Sequence, residues 1–360
     1  MILPYDRSKK ELIRIMGEIG NRSVVLYGAG KYGRQAYQNI KKYFPDLSVE
    51  AFIDDNKIRN QGTIDNVPIM TLTEAIGILG KDFCILIANY YITDVLKRIE
   101  QSGYDLTKVY FCNELLIDEV SIEYLHQNQS KLEKVYDMLE DYKSKMIYRT
   151  MIESRFTGHM DILGQTCDKQ QYFPGEGQND FFTIRKDEVF VDAGAFDGDT
   201  ISQFLDLTDG SYQSIYAFEP DRQNYQKLQK RNYGENVKLY NAGLYNATQK
   251  ISFSSNKGGS SKIEDAGIDY IQVYRFDELE LADKEVTFVK MDIEGSELKA
   301  LEGMQHTIKK DQPKLAICIY HKFEDLWELP LYIKKLVPEY RLFIRNYTAY
   351  LDEIVLYAAR

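Results

Sequence analysis

VFVDAGAFDGDT, residues 189–200, decides the fold of this chain. Val189-Phe190-Val191 is an apolar, β-branched run and predicts a buried strand. Asp192-Ala193-Gly194-Ala195-Phe196-Asp197-Gly198 follows as a glycine loop with the spacing DxGxxxG and an acid at its head. Asp199 and Thr200 are helix-start residues and are expected to open and cap the next helix. Strand, glycine loop and helix in that order are the first half of an α/β unit. Glycines there allow a backbone to come close to a ligand.

The elements downstream repeat the pattern. Ile215-Tyr216-Ala217-Phe218 is a second strand, and it ends in Glu219-Pro220-Asp221. A carboxylate at that point can accept hydrogen bonds from both hydroxyls of a ribose. Val237-Lys238-Leu239-Tyr240 is a third strand, ending in Asn241-Ala242-Gly243, where an adenine ring would lie. Thr287-Phe288-Val289-Lys290-Met291 is a fourth, running into Asp292-Ile293-Glu294-Gly295-Ser296-Glu297. Acids at the carboxyl end of a central strand border the crevice in which open α/β sheets bind ligands. Leu315-Ala316-Ile317-Cys318-Ile319 is a fifth. Tyr340-Arg341-Leu342-Phe343-Ile344 and Ile354-Val355-Leu356-Tyr357 are joined by a loop too short for a helix, so they predict a closing antiparallel hairpin. A parallel sheet closed by such a hairpin is the usual class I methyltransferase architecture. Its ligand, S-adenosylmethionine, has no pyrophosphate but carries a sulfonium cation and an amino-acid tail. The acid of the loop, Asp192, is suited to hydrogen-bond the tail's ammonium group.

Upstream lies a second and different glycine loop. Ser23-Val24-Val25-Leu26-Tyr27 predicts a strand and Gly28-Ala29-Gly30-Lys31-Tyr32-Gly33 gives GxGxxG before a helical pattern. Gly28, Gly30 and Gly33 then allow a tight turn and a phosphate at the helix N-terminus. Glu50-Ala51-Phe52-Ile53 is the next strand. The acids after it, Asp54 and Asp55, lie roughly 25 residues past the loop, where a ribose hydroxyl is read. Phe83-Cys84-Ile85-Leu86-Ile87-Ala88 is a third strand. The expectation is a Rossmann-like nucleotide-binding-type domain over residues 1–118. It includes a lead-in helix with Leu12, Ile15, Met16 and Ile19 at helical spacing. Residues 119–186 predict a helical connector and loop. The stretch 119–157 is rich in Lys, Glu, Tyr and Leu, and it is also a possible face for self-association into a homo-oligomer. Residues 187–360 form the second α/β domain.

Composition excludes several classes. Among 360 residues, 44% are hydrophobic and 28% charged, an ordinary globular mix long enough for two cores. A net charge of −10 without basic tracts argues against a nucleic-acid partner. The four cysteines, Cys84, Cys112, Cys167 and Cys318, show no CxxC pair, which fits reduced thiols in the cytoplasm rather than a zinc site or disulfides. Cys84 and Cys318 sit in apolar runs and are expected to be packing residues. No signal peptide and no integral membrane segment is read from the sequence.

The second half resembles the FkbM family of methyltransferases. The resemblance rests on VDAGAFDGDT (191–200), YAFEPD (216–221), FDEL (276–279), VKMDIEGSELKALEG (289–303) and the final Leu356-Tyr357-Ala358. It implies methyl transfer from S-adenosylmethionine, usually to an oxygen of a sugar or polyketide-type product, and a cofactor site lined by Asp192, Gly194, Glu219 and Asp292. By position, Phe196, Gly198, Thr200, Pro220, Asn241 and Ala242 complete that lining. The first half resembles, more loosely, the Rossmann-type domains attached to bacterial sugar-modifying enzymes, through LYGAGKYGR, FIDDNK, Val67-Pro68-Ile69 and Ala75-Ile76. That likeness implies a nucleotide-sugar or a dinucleotide as its ligand, and polysaccharide biosynthesis as the setting.

Methyl transfer to a hydroxyl needs a base. His321 follows the strand-like LAICIY and is expected at the crevice as that base, with Asp292 the competing candidate. Asp292, Glu294, Glu297 and His321 together have the donors of a divalent-metal site. A helix is predicted from Ser296, however, so the acids are expected to cap or flank it, and no metal is assigned. The Tyr172-Phe173-Pro174 loop is expected either to cover the acceptor or to pack in the core. Competing readings are an NAD-dependent oxidoreductase working through the first domain, for which no Tyr-x-x-x-Lys pair is seen there, and a non-catalytic sensor of nucleotide or S-adenosylmethionine.

Overall fold

The computed structural model describes residues 10–55, 62–89, 92–116, 120, 122–157, 161–173, 181, 183–231, 233–254, 262–263, 269–280 and 284–360. The chain divides into two compact units. One comprises residues 2–125 and 152–159, and the other residues 126–151 and 160–360.

The N-terminal unit starts with helix α1 (Lys10–Ile19), which buries Leu12, Ile15, Met16 and Ile19 at the spacing read from sequence. Strands β1 (Val24–Tyr27), β2 (Val49–Ile53), β3 (Thr63–Ile64), β4 (Val67–Met70), β5 (Cys84–Ile87) and β6 (Val109–Phe111) form one sheet in the order β3-β4-β2-β1-β5-β6. All pairings are parallel except β3 with β4. Helices α2 (Lys31–Tyr43), α3 (Leu72–Leu79), α4 (Ile92–Gln101) and α5 (Asn113–Leu116) lie between or after the strands. Alternate residues of β1 enter separate cores, Val24 and Leu26 in one, Val25 and Tyr27 in the other. The sheet is therefore covered on both faces, which is why its central strands read as unbroken apolar runs. The Val67-Pro68-Ile69 step is the second arm of a small hairpin. Its turn residues Asp65 and Asn66 both have positive φ, as a two-residue type I′ turn requires.

Residues 119–157 contain a helix pair, α6 (Ile122–Met138) and α7 (Tyr142–Thr157), followed by α8 (Asp161–Thr166). In the C-terminal unit the strands are β7 (Val189–Ala193), β8 (Ser214–Phe218), β9 (Val237–Tyr240), β10 (Gly243–Tyr245), β11 (Gln249–Ser254), β12 (Lys262–Ile263), β13 (Asp269–Arg275), β14 (Phe288–Met291), β15 (Lys314–Cys318), β16 (Arg341–Asn346) and β17 (Ile354–Ala359). The helices are α9 (Asp199–Leu207), α10 (Arg222–Lys230), α11 (Glu297–Gly303), α12 (Gln305–Asp311) and α13 (Asp325–Leu336). Seven strands make the main sheet, in the order β16-β17-β15-β14-β7-β8-β9. It is parallel from β9 to β15 and closes with the antiparallel β17 and β16, as the short loop between them predicts. A second, four-stranded sheet, β10-β13-β11-β12, has no counterpart in the sequence reading.

The chain winds from β7 toward β8 and β9 on one side, then returns to β14 and β15 on the other. The carboxyl ends of β7 and β14 therefore flank the switch point, where open α/β sheets place their ligand crevice. Beneath it, Phe173, Phe190, Phe204 and Phe288 form an aromatic core with ring centroids 4.8–6.2 Å apart.

Candidate active site

Register builds the centre of this crevice. Parallel pairing of β7 with β14 sets Asp192 opposite Lys290, so both side chains point to the same face. They form an ion pair at 3.1 Å with almost no exposure on either side. Lys290 Nζ also donates to the Gly194 carbonyl at 2.6 Å. Burial opposes the lysine's charge, yet Asp192 and Asp292 outweigh it and hold the ammonium above the usual lysine range. Asp192 is raised, because burial of its carboxyl outweighs the attraction of Lys290. The head acid of the loop thus meets an internal lysine. Sequence reasoning read Lys290 only as part of a strand; an ionic residue inside an apolar run was the signal available for it.

Gly194 has φ +82 and sits against the chain leaving β14, where an added Cβ would lie 1.9 Å from the Asp292 carbonyl oxygen. Its N–H and that of Ala195 donate to the Phe218 carbonyl, both at 3.0 Å, tying the loop to the end of β8. Phe196 has positive φ, is 41% exposed, and donates its N–H to Glu219 Oε2 at 2.8 Å. Gly198 is the N-cap of α9 and makes no side-chain cap; the Asp199 carboxylate takes the Thr200 N–H at 2.8 Å, and Thr200 is buried.

Glu219 is 6% exposed. Its Oε1 accepts from the Asp221 N–H and its Oε2 from the Phe196 N–H, both at 2.8 Å. Burial pushes its carboxyl up to about 7 in spite of those two hydrogen bonds. Asp221 caps α10 by accepting from the N–H groups of Gln223 and Asn224. The Asn241 amide donates to the carbonyls of Glu219 and Pro220, at 2.9 and 3.2 Å, and Ala242 beside it is buried. Asn241 therefore holds the β8 and β9 ends together and keeps its carbonyl oxygen for other contacts.

Asp292 and His321 are brought together from the ends of β14 and β15. Asp292 accepts hydrogen bonds from the hydroxyls of Tyr172 at 2.9 Å and Tyr320 at 3.2 Å, and His321 Nε2 stands 3.3 Å from its Oδ1. Burial would raise Asp292, but His321, Lys290 and Tyr172 outweigh it and hold the carboxyl well below the usual range. His321 is 4% exposed in its side chain, with Nδ1 3.0 Å from Glu297 Oε1 and Nε2 3.7 Å from Glu294 Oε2. Burial would lower its affinity for a proton, but Glu297 and Asp292 carry it well above the ordinary histidine value. Glu297, the first residue of α11, is fully buried and accepts the Ile293 N–H at 2.9 Å. The expected flanking acid is thus turned inward. In the aromatic loop, Phe173 packs in the core and Tyr172 reaches the site through its hydroxyl, while Pro174 lies outside the described residues.

The N-terminal loop is built differently. Gly28 has φ +131, and a Cβ on Gly33 would lie 1.9 Å from the Gly28 carbonyl oxygen, so the turn closes on itself. Gly30 is the N-cap of α2, with no side-chain cap and open space around it. Asp55 accepts from the Tyr27 hydroxyl at 2.6 Å and pairs with Arg98. With Gly28, Asp54 and Asn89 these residues line a cavity of about 240 Å³ at the carboxyl ends of β1, β2 and β5.

The sheet order and crevice of the C-terminal unit define a methyltransferase-type fold. Residues 192–349 match the methyltransferase FkbM domain, and this stretch is a methyltransferase domain of the FkbM family. The chain is similar in structure to a methyltransferase FkbM from Methylobacillus flagellatus KT, with a TM-score of 0.65 and 22% identity over 99% of this chain and 94% of that one. At that identity the likeness is one of fold. Weaker similarities link 49% of the chain to 89% of an rRNA methylase from Streptococcus thermophilus (TM-score 0.31, 16% identity) and to 70% of fibrillarin from Aeropyrum pernix in complex with S-adenosyl-L-methionine (TM-score 0.30, 11% identity). They are too distant to bear on function. No curated protein matches the sequence. Among the described residues, no helix is long and apolar enough to cross a membrane.

Proposed function

We propose that this protein transfers a methyl group from S-adenosylmethionine to a hydroxyl of a sugar or glycan-type acceptor, in the cytoplasm. The observation that carries the reading is Glu219, a buried carboxyl at the end of β8, held by two backbone N–H groups and facing the switch point beside Gly194. Each of its oxygens keeps acceptor capacity for one ribose hydroxyl. In this reading Gly194, Phe196, Gly198 and Thr200 shape the wall beside the amino-acid tail. Asp192 acts through Lys290, whose buried charge it balances. Pro220, Asn241 and Ala242 border the adenine.

In the reaction the acceptor oxygen bonds to the methyl carbon, the carbon–sulfur bond breaks, and its electron pair stays on sulfur. The hydroxyl proton must also leave, and Asp292 and His321 are the pair that handles it. Asp292 is ionised, is 23% exposed in its side chain, and is oriented by two tyrosine hydroxyls. His321 already holds a proton among its carboxylates, so it serves better to position Asp292 than to act as the first base. For the N-terminal unit, the cavity between Gly28 and Arg98 suits the phosphate of a nucleotide-sugar or a dinucleotide, and a nucleotide-sugar agrees with a sugar acceptor.

Titration calorimetry with S-adenosylhomocysteine tests the reading. One micromolar site per chain is expected, weakened at least tenfold, or about 1.4 kcal/mol, by Glu219→Ala. Absence of binding by the folded wild type removes the cofactor assignment.

A further inference from the structure

We propose that Asp292, Glu297 and His321 hold one divalent cation of the Mn²⁺ class at the edge of the crevice. The three come from separate elements, namely the loop after β14, the first turn of α11 and the segment after β15. One donor atom from each lies within 4.8 Å of the others. Asp292 Oδ1 is 3.3 Å from His321 Nε2, the nitrogen that would face the ion, while Nδ1 on the opposite edge of the ring stands 3.0 Å from Glu297 Oε1. Neighbouring donors around an ion with bonds of about 2.1 Å are separated by roughly 3.0–3.5 Å.

Both imidazole nitrogens are buried and meet carboxylates only as ion pairs, and neither they nor the buried Glu297 Oε2 makes a well-formed hydrogen bond among the described residues. Native interiors leave few such atoms unmet, and an ion is one of the explanations for those that remain. Charge points the same way. Lys290 is shared between Asp192 and Asp292, and the carboxylates of Asp292 and Glu297 face a single imidazole. A cation would offset the charge of the fully buried Glu297 beside the partly open Asp292.

Two carboxylates with one imidazole favour a hard to borderline ion. Carboxylates suit Mg²⁺ and Mn²⁺, and the nitrogen shifts the preference toward Mn²⁺. Asp292 stays partly open to the crevice, so an ion on it has room for a further oxygen ligand. The use of that position rests on the methyl-transfer reading. With the ion bound, it and not the Asp292 carboxylate would ionise the acceptor hydroxyl, whose proton would leave to solvent; the alkoxide oxygen would then bond to the methyl carbon and the carbon–sulfur bond would break as above. Binding of the ion does not depend on that reading.

The test is electron paramagnetic resonance of Mn²⁺ titrated into the chelator-treated full-length protein, with far-UV circular dichroism to confirm folding. One Mn²⁺ per chain is expected, with hyperfine coupling to an imidazole nitrogen in pulsed spectra. His321→Ala should abolish the nitrogen coupling, and Asp292→Asn and Glu297→Gln should each raise Kd at least tenfold. Folded wild-type protein that leaves all Mn²⁺ free overturns the proposal, as does binding that survives the three substitutions unchanged. S-adenosylhomocysteine binding measured on the same metal-free sample separates the two failures: if it persists, the methyl-transfer reading stands without the ion.

Discussion

The two glycine loops of this chain sit at equivalent places in two mainly parallel sheets and differ in the chemistry around them. Around the loop 28–33, the acid of the second strand, Asp55, is tied up by Tyr27 and Arg98, and α2 opens with an uncapped N-terminus. The uncapped N–H groups favour an anion at the loop itself, while Asp54, Asp55 and Asp94 stand against the single guanidinium of Arg98 in the rest of the cavity. Around the loop 192–198, the lysine is buried against an acid, and the groups left at the edge are carboxylates. That surrounding favours a cation such as a sulfonium. A glycine loop after a strand therefore identifies a place for a ligand; the charges that the neighbouring strands bring to it decide the ligand's sign.

The largest expected effects test which glycines the backbone itself demands. Gly194→Ala forces a Cβ to within 1.9 Å of the Asp292 carbonyl oxygen at φ +82, and Gly33→Ala brings one to the same distance from Gly28. Each contact is with backbone, which cannot swing aside. Losses beyond about 4 kcal/mol are expected, enough to unfold the unit concerned. Gly30→Ala is the control: with φ −78 and nothing within 4 Å, it should shift stability by no more than about 0.5 kcal/mol. Urea melts of the three variants decide it. Equal tolerance at positions 194 and 30 would show that the second loop has no close backbone approach.

A second contrast sets the two ion pairs against each other. Lys290→Met leaves Asp192 buried and unpaired, and should cost about 3–5 kcal/mol. Arg98→Met removes a pair whose side chains are 55% and 34% exposed, and should cost at most about 1 kcal/mol. The double change Asp192→Asn with Lys290→Met should recover part of the loss, since no charge is then stranded. A loss below 1 kcal/mol for Lys290→Met would mean that water reaches Asp192.

The sequence conveys the strands of the seven-stranded sheet, β1, β2 and β5 of the six-stranded one, the helical connector and the closing hairpin, because each is a short apolar run or a periodic stripe bounded by clear breakers; β3, β4 and β6, two to four residues long, do not stand out. The second sheet is not legible. Its strand Asp269–Arg275 alternates weakly and exposes Tyr270 at 73%, so it lacks the apolar signature of a buried strand. The crevice is legible as a set of strand ends, since Gly194, Glu219, Asp292 and His321 all lie there. What each acid touches is not. Asp192 on Lys290, Tyr172 on Asp292 and Glu297 on His321 join residues separated by up to 120 positions, and such pairs are created by register and by a loop's return path. No local spacing encodes them.

The smallest effect is a pH dependence, and it separates the two second-strand acids by how they are held. Glu219 rises from 4.5 to about 7 through burial. Its folded form binds a proton more tightly than its unfolded form, so the folded state carries the extra proton between those values. Stability from this group is then full below about pH 4.5 and is lost as pH rises to about 7, by up to roughly 3 kcal/mol. Measured against Glu219→Gln, which does not titrate, wild type should lose ground over that window in urea melts and stay level above it. A ribose that donates its hydroxyls to Glu219 favours the ionised carboxylate, so binding of S-adenosylhomocysteine near pH 6.5 should release a fraction of a proton, seen as a buffer-dependent heat that Glu219→Gln abolishes. Wild type gaining ground with pH would instead mean that the N–H groups of Phe196 and Asp221 outweigh burial. The carboxylate would then be charged before any ligand arrives.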